Sequence, residues 1–119
     1  MEVARVRDAM EKDPGLRNEI FSLQEIEYCE SKANKYQHYT ARFAAKEAVM
    51  KAMGTGLQHG IRFNQIEVLN TDLGAPYINL KDKAKEFAKD KGILKILVSL
   101  AHVKDFATAM VVLEEKSED

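Results

Sequence analysis

Two pairs of charged residues lie four positions apart in an alanine-rich segment of the chain. Arg42 and Lys46 form one pair, and Glu47 and Lys51 form the other. Residues four apart share one surface of an α-helix. A carboxylate there can hold Mg²⁺, the cation can neutralise phosphate oxygens, and a lysine can add a point charge to the same phosphate. The alternative interpretation is solvated side-chain pairs, in which oppositely charged residues such as Glu47 and Lys51 contribute about 0.2–0.5 kcal/mol.

Glycines follow this segment as Gly54 and Gly56, and they let the backbone come close to a bound group. A Mg²⁺ site usually takes one or two carboxylates, with water and substrate oxygens completing the octahedron. Glu47 therefore needs a partner. Asp72 and Glu67 are candidates by charge alone, and nothing in the sequence places them near Glu47.

Histidine and cysteine offer weaker signals. His102 lies between an apolar run and a turn, so it is a candidate phosphate hydrogen-bond donor or proton carrier, although a surface or packed histidine is the commoner case. His38 and His59 have no ligand spacing to each other or to Cys29, so no zinc site is expected. We expect Cys29 to be a semi-buried structural thiol.

The spacing of hydrophobic residues, together with residues that start and end helices, predicts the helices that must position these residues. Ser22 followed by Glu25 predicts a capping box at the start of the second helix, with Leu23, Ile26 and Cys29 facing inward. Gly54 stands where a left-handed C-cap residue would end the central helix. The predicted elements are an amphipathic helix over 2–10, a helix from 22 to about 36, a polar linker over 35–39, a central buried helix over 40–53 and a charged helix over 81–91.

Two hairpins are predicted in the second half of the chain. The first pairs 66–69 with 76–80 around a longer turn, and the second pairs 93–100 with 107–113 and has His102 near its turn. Helices first and strands grouped later predict an α+β fold with helices packed on a small antiparallel sheet.

Length, composition and charge exclude several classes of protein. A chain of 119 residues that is 45% hydrophobic and 31% charged is enough for one globular domain. The formal net charge of −1 provides no field for nucleic acid, and no apolar run approaches the roughly 20 residues of a membrane span. Charges within the first 20 residues argue against a signal peptide, and the single cysteine suits a reducing compartment. We expect a soluble cytoplasmic protein.

The central motif, residues 41–48 together with 51–56, closely resembles that of bacterial holo-acyl-carrier-protein synthases, which are 4′-phosphopantetheinyl transferases. The resemblance implies one domain over 1–119 with the α+β fold of that family. Weaker matches follow in order along nearly the whole chain, over 2–7, 63–68, 74–77, 98–102 and 107–109.

The resemblance implies transfer of the phosphopantetheine arm of coenzyme A to a serine of an apo acyl carrier protein of fatty-acid synthesis, with Mg²⁺ as cofactor. It implies that Glu47 is a Mg²⁺ ligand and that Lys51 contacts the phosphate under attack or the incoming serine. It also implies that His102 binds coenzyme A phosphate oxygens. Further implied coenzyme A contacts are Arg42, Lys46, Gly54 and Gly56.

The same resemblance implies a homotrimer with coenzyme A between neighbouring subunits, and a first helix that meets the carrier protein. Carrier proteins are acidic, so Arg5, Arg7 and Lys12 are the implied steering residues. The alternative for these three is an ordinary polar helix face.

The resemblance fails in one important place. In the family a strand bearing an aspartate, the second Mg²⁺ ligand, precedes the position of Glu2, and this sequence starts after that aspartate. Ala75 also stands where relatives often have lysine, and Ala101 where a small hydroxyl residue is common. The favoured hypothesis is an active transferase. The alternatives are a noncatalytic module of the same fold that binds coenzyme A or a carrier protein with an incomplete metal site, and an unrelated α+β domain.

Overall fold

Helices precede most of the strands in the computed structural model, which describes residues 1–56 and 59–117. This order confirms the α+β class. A 3₁₀ turn, Phe63–Gln65, leads into the first strand. The elements are α1 Val3–Lys12, α2 Leu16–Ile20, α3 Leu23–Glu30, α4 Lys35–Met53, β1 Ile66–Asn70, β2 Pro76–Leu80, α5 Asp82–Asp90, β3 Ile93–His102 and β4 Ala107–Glu115.

The central element is α4, a helix of 19 residues that packs across the β3–β4 hairpin and also contacts α1, α3 and β1. Its alanines favour a helix and allow close packing on the sheet. Gly54 ends the helix in the left-handed conformation with φ 71°, and the Thr55 amide donates to the Met50 carbonyl. The predicted glycine C-cap is confirmed.

The predicted linker over 35–39 is wrong, because these residues form the first turns of α4, and α3 ends at Glu30 rather than near Tyr36. Tyr39 is fully buried, and its ring lies 4.8 Å from that of Phe21 between centroids. Its hydroxyl donates to the Glu30 carboxylate at 2.7 Å. The other residues of these turns are half-buried and Tyr39 anchors them in the core, so tertiary packing extends the helix beyond its alanine-rich part.

The predicted capping box at α3 is confirmed. Ser22 accepts from the Glu25 amide, and the Glu25 side chain accepts from the Ser22 amide. Cys29 is buried as predicted, whereas Leu23 is 81% exposed and the prediction that it faces inward is wrong. Leu23 is the first residue of the helix, and Glu25 takes the inward position two residues later.

Both predicted hairpins are confirmed, and both are antiparallel. The second is longer than predicted, since β3 runs through His102, which pairs with Ala107 next to the turn of the hairpin. The Met1 carbonyl accepts from the Ala107 amide at 2.9 Å, so the first residues lie against the start of β4. The short helix α2 was not predicted.

Two hydrophobic clusters support the opposite halves of α4. One lies under its C-terminal half, against β1 and α5, and the other lies under its N-terminal half, against α1 and α3. Among residues 1–56 and 59–117, no helix is both long and apolar enough to cross a bilayer. The core members of the first cluster are Val49, Met50, Met53, Ile61, Ile66, Ala84 and Ala88, and those of the second are Val6, Met10, Phe21, Cys29 and Tyr39.

Candidate functional site

The two charged pairs of the central motif lie on different faces of α4. Arg42 is 2% exposed and Lys46 is fully buried, whereas Glu47 and Lys51 are both exposed. Successive helical residues are rotated by about 100°, so a lysine that points into the core turns the next residue toward solvent. The spacing of four keeps each pair together, and burial distinguishes one pair from the other.

Glu47 and Lys51 line a groove of about 690 Å³ between the C-terminal half of α4 and the start of β4. We call it the α4–β4 groove. Thr55 and Thr108 add hydroxyl groups to it, and Phe63 forms part of its wall. The groove therefore combines a carboxylate, an amine and hydroxyl groups beside an apolar surface.

A second groove of about 810 Å³ lies beside the first, between α1, α2 and α4. We call it the α1 groove. Arg5 and Arg62 contribute its positive charges, and Phe21, Phe43 and Phe63 contribute aromatic surface. Glu47 and Phe63 line both grooves, so the carboxylate lies where the two meet.

The Glu47 carboxylate has no hydrogen bond or ion pair to any residue within 1–56 and 59–117, and neither does the Lys51 ammonium. Both groups are therefore free to bind a ligand. The two partners considered for Glu47 do not lie near it. Asp72 is exposed in the β1–β2 turn, and Glu67 is 4% exposed and lines a different pocket.

Glu67 already has partners of its own. Its carboxylate accepts from Asn79 Nδ2 at 2.9 Å and lies 3.6 Å from Lys81 Nζ. Burial acts to raise the pKa of Glu67, but its hydrogen bonds and the Lys81 charge outweigh it and hold the pKa below its usual value. The suggestion that Glu67 or Asp72 completes a metal site with Glu47 is therefore wrong for this structure.

Lys46 does not face a groove, contrary to the expectation that it contacts coenzyme A. Its ammonium donates to Glu25 Oε1 at 2.7 Å, to the Ile66 carbonyl at 2.6 Å and to the Phe63 carbonyl at 3.0 Å. Burial lowers the pKa of Lys46, and the charge of Glu25 opposes this effect. All three donors are used inside the protein, so an external phosphate has no access to them.

Arg42 lies in a separate group at the N-terminal half of α4, which we call the histidine cluster and which comprises Tyr28, His38, Arg42, Asn70 and His102. The Arg42 guanidinium carbon lies 4.2 Å from the Tyr28 ring centroid, and Nη2 donates to Asn70 Oδ1. The His38 and His102 rings meet edge to face at 5.0 Å. The buried Nε of Arg42 has no hydrogen-bond partner among the described residues.

Burial and the nearby charge of Arg42 lower the pKa of His38 to about 4. His102 itself is exposed, so its ring can reach a ligand at the surface. Along α4, His38 and Lys51 are separated by a rise of roughly 20 Å at 1.5 Å per residue. The histidine cluster and the pair of Glu47 and Lys51 therefore form two separate groups, in the N-terminal and C-terminal halves of one helix.

The C-terminal end of α4 is held by a residue that the sequence did not single out, Lys91. Lys91 Nζ donates to the Met53 carbonyl at 2.7 Å and lies over the Phe87 ring. A side chain at Gly54 would place its Cβ 3.1 Å from this amine, in addition to the strain of a positive φ. Gly56 is the last residue described before the gap at 57–58.

The basic residues of α1 remain at the surface. Arg5 lines the α1 groove, and Arg7 is exposed and pairs with Asp8 at 3.1 Å. Lys12 is exposed in the last turn of the helix. These positions leave all three available to a partner that approaches α1.

Sequence reasoning also missed Glu25, Phe63 and the partners of Arg42. A signal existed for Glu25, because the capping box and the inward prediction for Cys29, four residues later, place it on the buried face. No signal existed for Tyr28 and Asn70, which reach Arg42 from α3 and the end of β1. Such contacts depend on how distant elements pack.

Residues 1–111 match the family described as the 4′-phosphopantetheinyl transferase superfamily. The chain belongs to this superfamily. A relative from Ruminiclostridium cellulolyticum, named holo-[acyl-carrier-protein] synthase, is 50% identical over 115 residues, which cover 95% of this chain and 86% of the relative. The resemblance inferred from the central motif is thereby confirmed.

Solved structures of the superfamily share the fold. Holo-[acyl-carrier-protein] synthase from Neisseria meningitidis is similar with a TM-score of 0.88 at 25% identity, covering 97% of this chain and 93% of that one. The enzyme from Helicobacter pylori, solved in complex with coenzyme A, has a TM-score of 0.80 at 27% identity, covering 96% and 95%. The α+β arrangement of this chain is therefore that of the superfamily.

Proposed function

We propose that this chain is a holo-acyl-carrier-protein synthase that transfers the 4′-phosphopantetheine group of coenzyme A to a serine of an apo acyl carrier protein. The observation that carries the proposal is the pair of free, exposed charges, Glu47 and Lys51, where two grooves meet. The names of the relatives and the coenzyme A bound by a structural neighbour support the same reaction. The noncatalytic alternative is not favoured.

The residues present fit a Mg²⁺ site in which the protein supplies one carboxylate. Glu47 offers one free carboxylate, and the described residues contain no group of three His, Cys, Asp or Glu side chains that could hold a metal ion by themselves. Mg²⁺ commonly binds through one or two carboxylates together with substrate phosphates and water. Glu47 would therefore hold Mg²⁺ that also binds the pyrophosphate of coenzyme A, where it neutralises charge on the phosphate oxygens.

In the proposed reaction, the serine oxygen forms a bond to the phosphorus that bears the pantetheine arm. The bond from that phosphorus to the bridging oxygen breaks, and adenosine 3′,5′-bisphosphate leaves with the electron pair, while the serine proton is released. Lys51 lies one turn from Glu47 on the exposed face, so its ammonium can bind the same phosphate. Positioning and charge neutralisation are the main requirements of phosphoryl transfer.

We propose that coenzyme A lies between two copies of the chain in a homotrimer. The histidine cluster, in which His102 is exposed, contacts the N-terminal half of α4, whereas Lys51 lies in the last turn of the same helix. One copy would then supply Glu47 and Lys51, and its neighbour would supply His102. The outer face of the β3–β4 hairpin supports contact between copies, because it exposes Leu97, Met110 and Val112 by 49%, 69% and 52%.

The α1 surface is the proposed docking site for the carrier protein, which we take to be that of fatty-acid synthesis. Arg5 and Arg7 are exposed there and would steer an acidic partner toward the α1 groove. We also propose that the reaction takes place in the cytoplasm. The buried thiol of Cys29 is free, as a reducing compartment allows, and burial raises its pKa to about 12.

Intact-mass spectrometry of an apo acyl carrier protein tests the reaction directly. The carrier protein is incubated with this chain, coenzyme A and Mg²⁺, with EDTA in a parallel sample. A mass gain of one phosphopantetheine group that EDTA abolishes is expected. Stabilisation of the chain by coenzyme A without any mass gain would indicate the binding module instead, and no stabilisation at saturating coenzyme A would contradict both.

A further inference from the structure

The geometry points to Lys46 as a positioning residue of the transferase: its buried ammonium fixes the wall formed by Phe63 relative to Glu47. This inference rests on the proposed function, since it concerns the same site. It replaces the expectation that Lys46 binds coenzyme A with a role inside the protein. Lys46 touches no groove and acts through the residues that do.

The ammonium group of Lys46 bonds to two separate parts of the protein. Lys46 Nζ donates to a carboxylate of α3, at Glu25, and to two carbonyls, those of Phe63 at the start of the 3₁₀ turn and Ile66 directly after it. An ammonium has three donors, and each has an acceptor here at 3.0 Å or less. Three bonds from a fully buried group fix the turn in both distance and direction relative to α4.

The residues that Lys46 holds are next to the candidate site. Glu47 follows Lys46 on the helix, so the backbone that the anchor holds also carries the carboxylate. Phe63 lines both grooves that Glu47 lines, and its ring meets that of Phe43 at 5.2 Å. A shift of the turn would therefore change the shape of the space in front of Glu47.

A lysine suits this position because of the donors that it supplies. Glu25 accepts from the Ser22 amide and the Val68 amide, each at 2.9 Å, so its charge already has hydrogen bonds to the backbone. Buried ion pairs are often no better for stability than apolar residues of similar volume. The two carbonyl bonds, however, need donors that an apolar side chain lacks. Directed bonds to Phe63 and Ile66, rather than stability, are what the lysine adds.

Two variants separate position from stability. Glu25→Gln removes the counter-charge but leaves Lys46 its two carbonyl acceptors, so we expect Tm to fall by about 10 °C while kcat stays within about threefold of that of the unmodified chain. Lys46→Met combined with Glu25→Gln removes the buried charges and the carbonyl bonds together. We expect its Tm to exceed that of Glu25→Gln and its kcat to fall at least about tenfold, with KM for coenzyme A changed by less than about twofold.

A fluorine NMR spectrum of protein labelled with fluorophenylalanine gives a readout that does not require activity. The Phe63 resonance, assigned with Phe63→Leu, should stay in place in Glu25→Gln and move in the double variant. If kcat and the Phe63 resonance instead follow Tm across the variants, Lys46 has a structural role only. If the double variant does not fold, Glu25→Gln still tests the inference, because a Phe63 resonance that moves in this variant as Tm falls contradicts it.

The failure of the proposed function would be distinguishable from the failure of this inference. If the unmodified chain transfers no phosphopantetheine, the reaction is wrong, and the fluorine spectra still report whether Lys46 holds Phe63. If transfer occurs and the Phe63 resonance is the same in the double variant, the inference about Lys46 is wrong while the reaction stands.

Discussion

The inward and outward faces of α4 each carry a pair of charged residues with the same spacing of four, and the two pairs differ in their surroundings. On the inward face, Arg42 and Lys46 are buried and bonded to α3, to β1 and to the turn before it. On the outward face, Glu47 and Lys51 have no partner among the described residues. Partnered charges hold a structure in place, and unpartnered charges are available to a substrate. A spacing of four residues therefore shows that two side chains share a face of a helix, but not whether that face is buried or binds a ligand.

The largest difference between the faces should appear on neutralising Glu47. Glu47→Gln should lower kcat by about 10³-fold or more, because the proposed Mg²⁺ ligand is lost. The free energy of unfolding should change by no more than about 0.5 kcal/mol, since the carboxylate is exposed and unbonded. Phosphopantetheine transfer measured by intact mass and unfolding in urea check the two halves of this prediction.

Glu86→Gln is the matched control, because Glu86 is an exposed carboxylate on a different helix, α5. It should leave both kcat and stability unchanged. Equal activity of Glu47→Gln and Glu86→Gln would mean that the free carboxylate of α4 is an ordinary surface charge and would remove the central support for the proposed function.

The next largest effect is on stability and belongs to the inward face. Lys46→Met alone should lower the free energy of unfolding by about 3–5 kcal/mol, because it leaves the Glu25 carboxylate buried without its cation. Lys51→Met should change stability by no more than about 0.5 kcal/mol, since Lys51 is exposed. Urea unfolding of both variants measures the contrast, and a small loss for Lys46→Met would show that the buried pair is dispensable.

From the sequence, both charged pairs were expected to be accessible to a ligand, which holds for Glu47 and Lys51 but not for the buried Arg42 and Lys46. Alanines lie on several sides of α4, so the apolar arc is too broad to show that Arg42 and Lys46 share the buried face with Ala45 and Val49. The motif identified the superfamily, and the hairpins followed from strand spacing. The contacts of Lys46 with Phe63 and Ile66, in contrast, depend on packing between segments about 20 residues apart in sequence, which no local pattern encodes.

A smaller effect on stability is expected at low pH, through His38 in the N-terminal half of α4. The pKa of His38 is lowered from 6.5 to about 4 in the folded chain, so the unfolded chain binds more protons between these two values. Stability is therefore lost as pH falls from about 6.5 to about 4. His38 is partly solvated, which limits this contribution to about 1 kcal/mol.

His38→Asn should remove that contribution, so the variant should lose less stability than the unmodified chain between pH 7 and pH 4.5. Urea unfolding at the two pH values measures it. His59→Asn is the comparison variant, since His59 is exposed and lies outside the histidine cluster. An unchanged pH dependence in His38→Asn would mean that His38 titrates normally in the folded chain.

The smallest effect is expected at the α1 surface, where charge acts over a distance rather than through a bond. Arg5→Gln should raise KM for an acidic carrier protein by a fewfold at low salt and leave KM for coenzyme A unchanged, because steering affects encounter with the partner alone. Added salt should reduce the difference as it screens the charges. Lys85→Gln, an exposed change on α5, is the control. An equal effect of both substitutions would show that α1 is not where the carrier protein docks, while a salt-sensitive effect of Arg5 alone would join the α1 groove to the outward face of α4 as one continuous substrate surface.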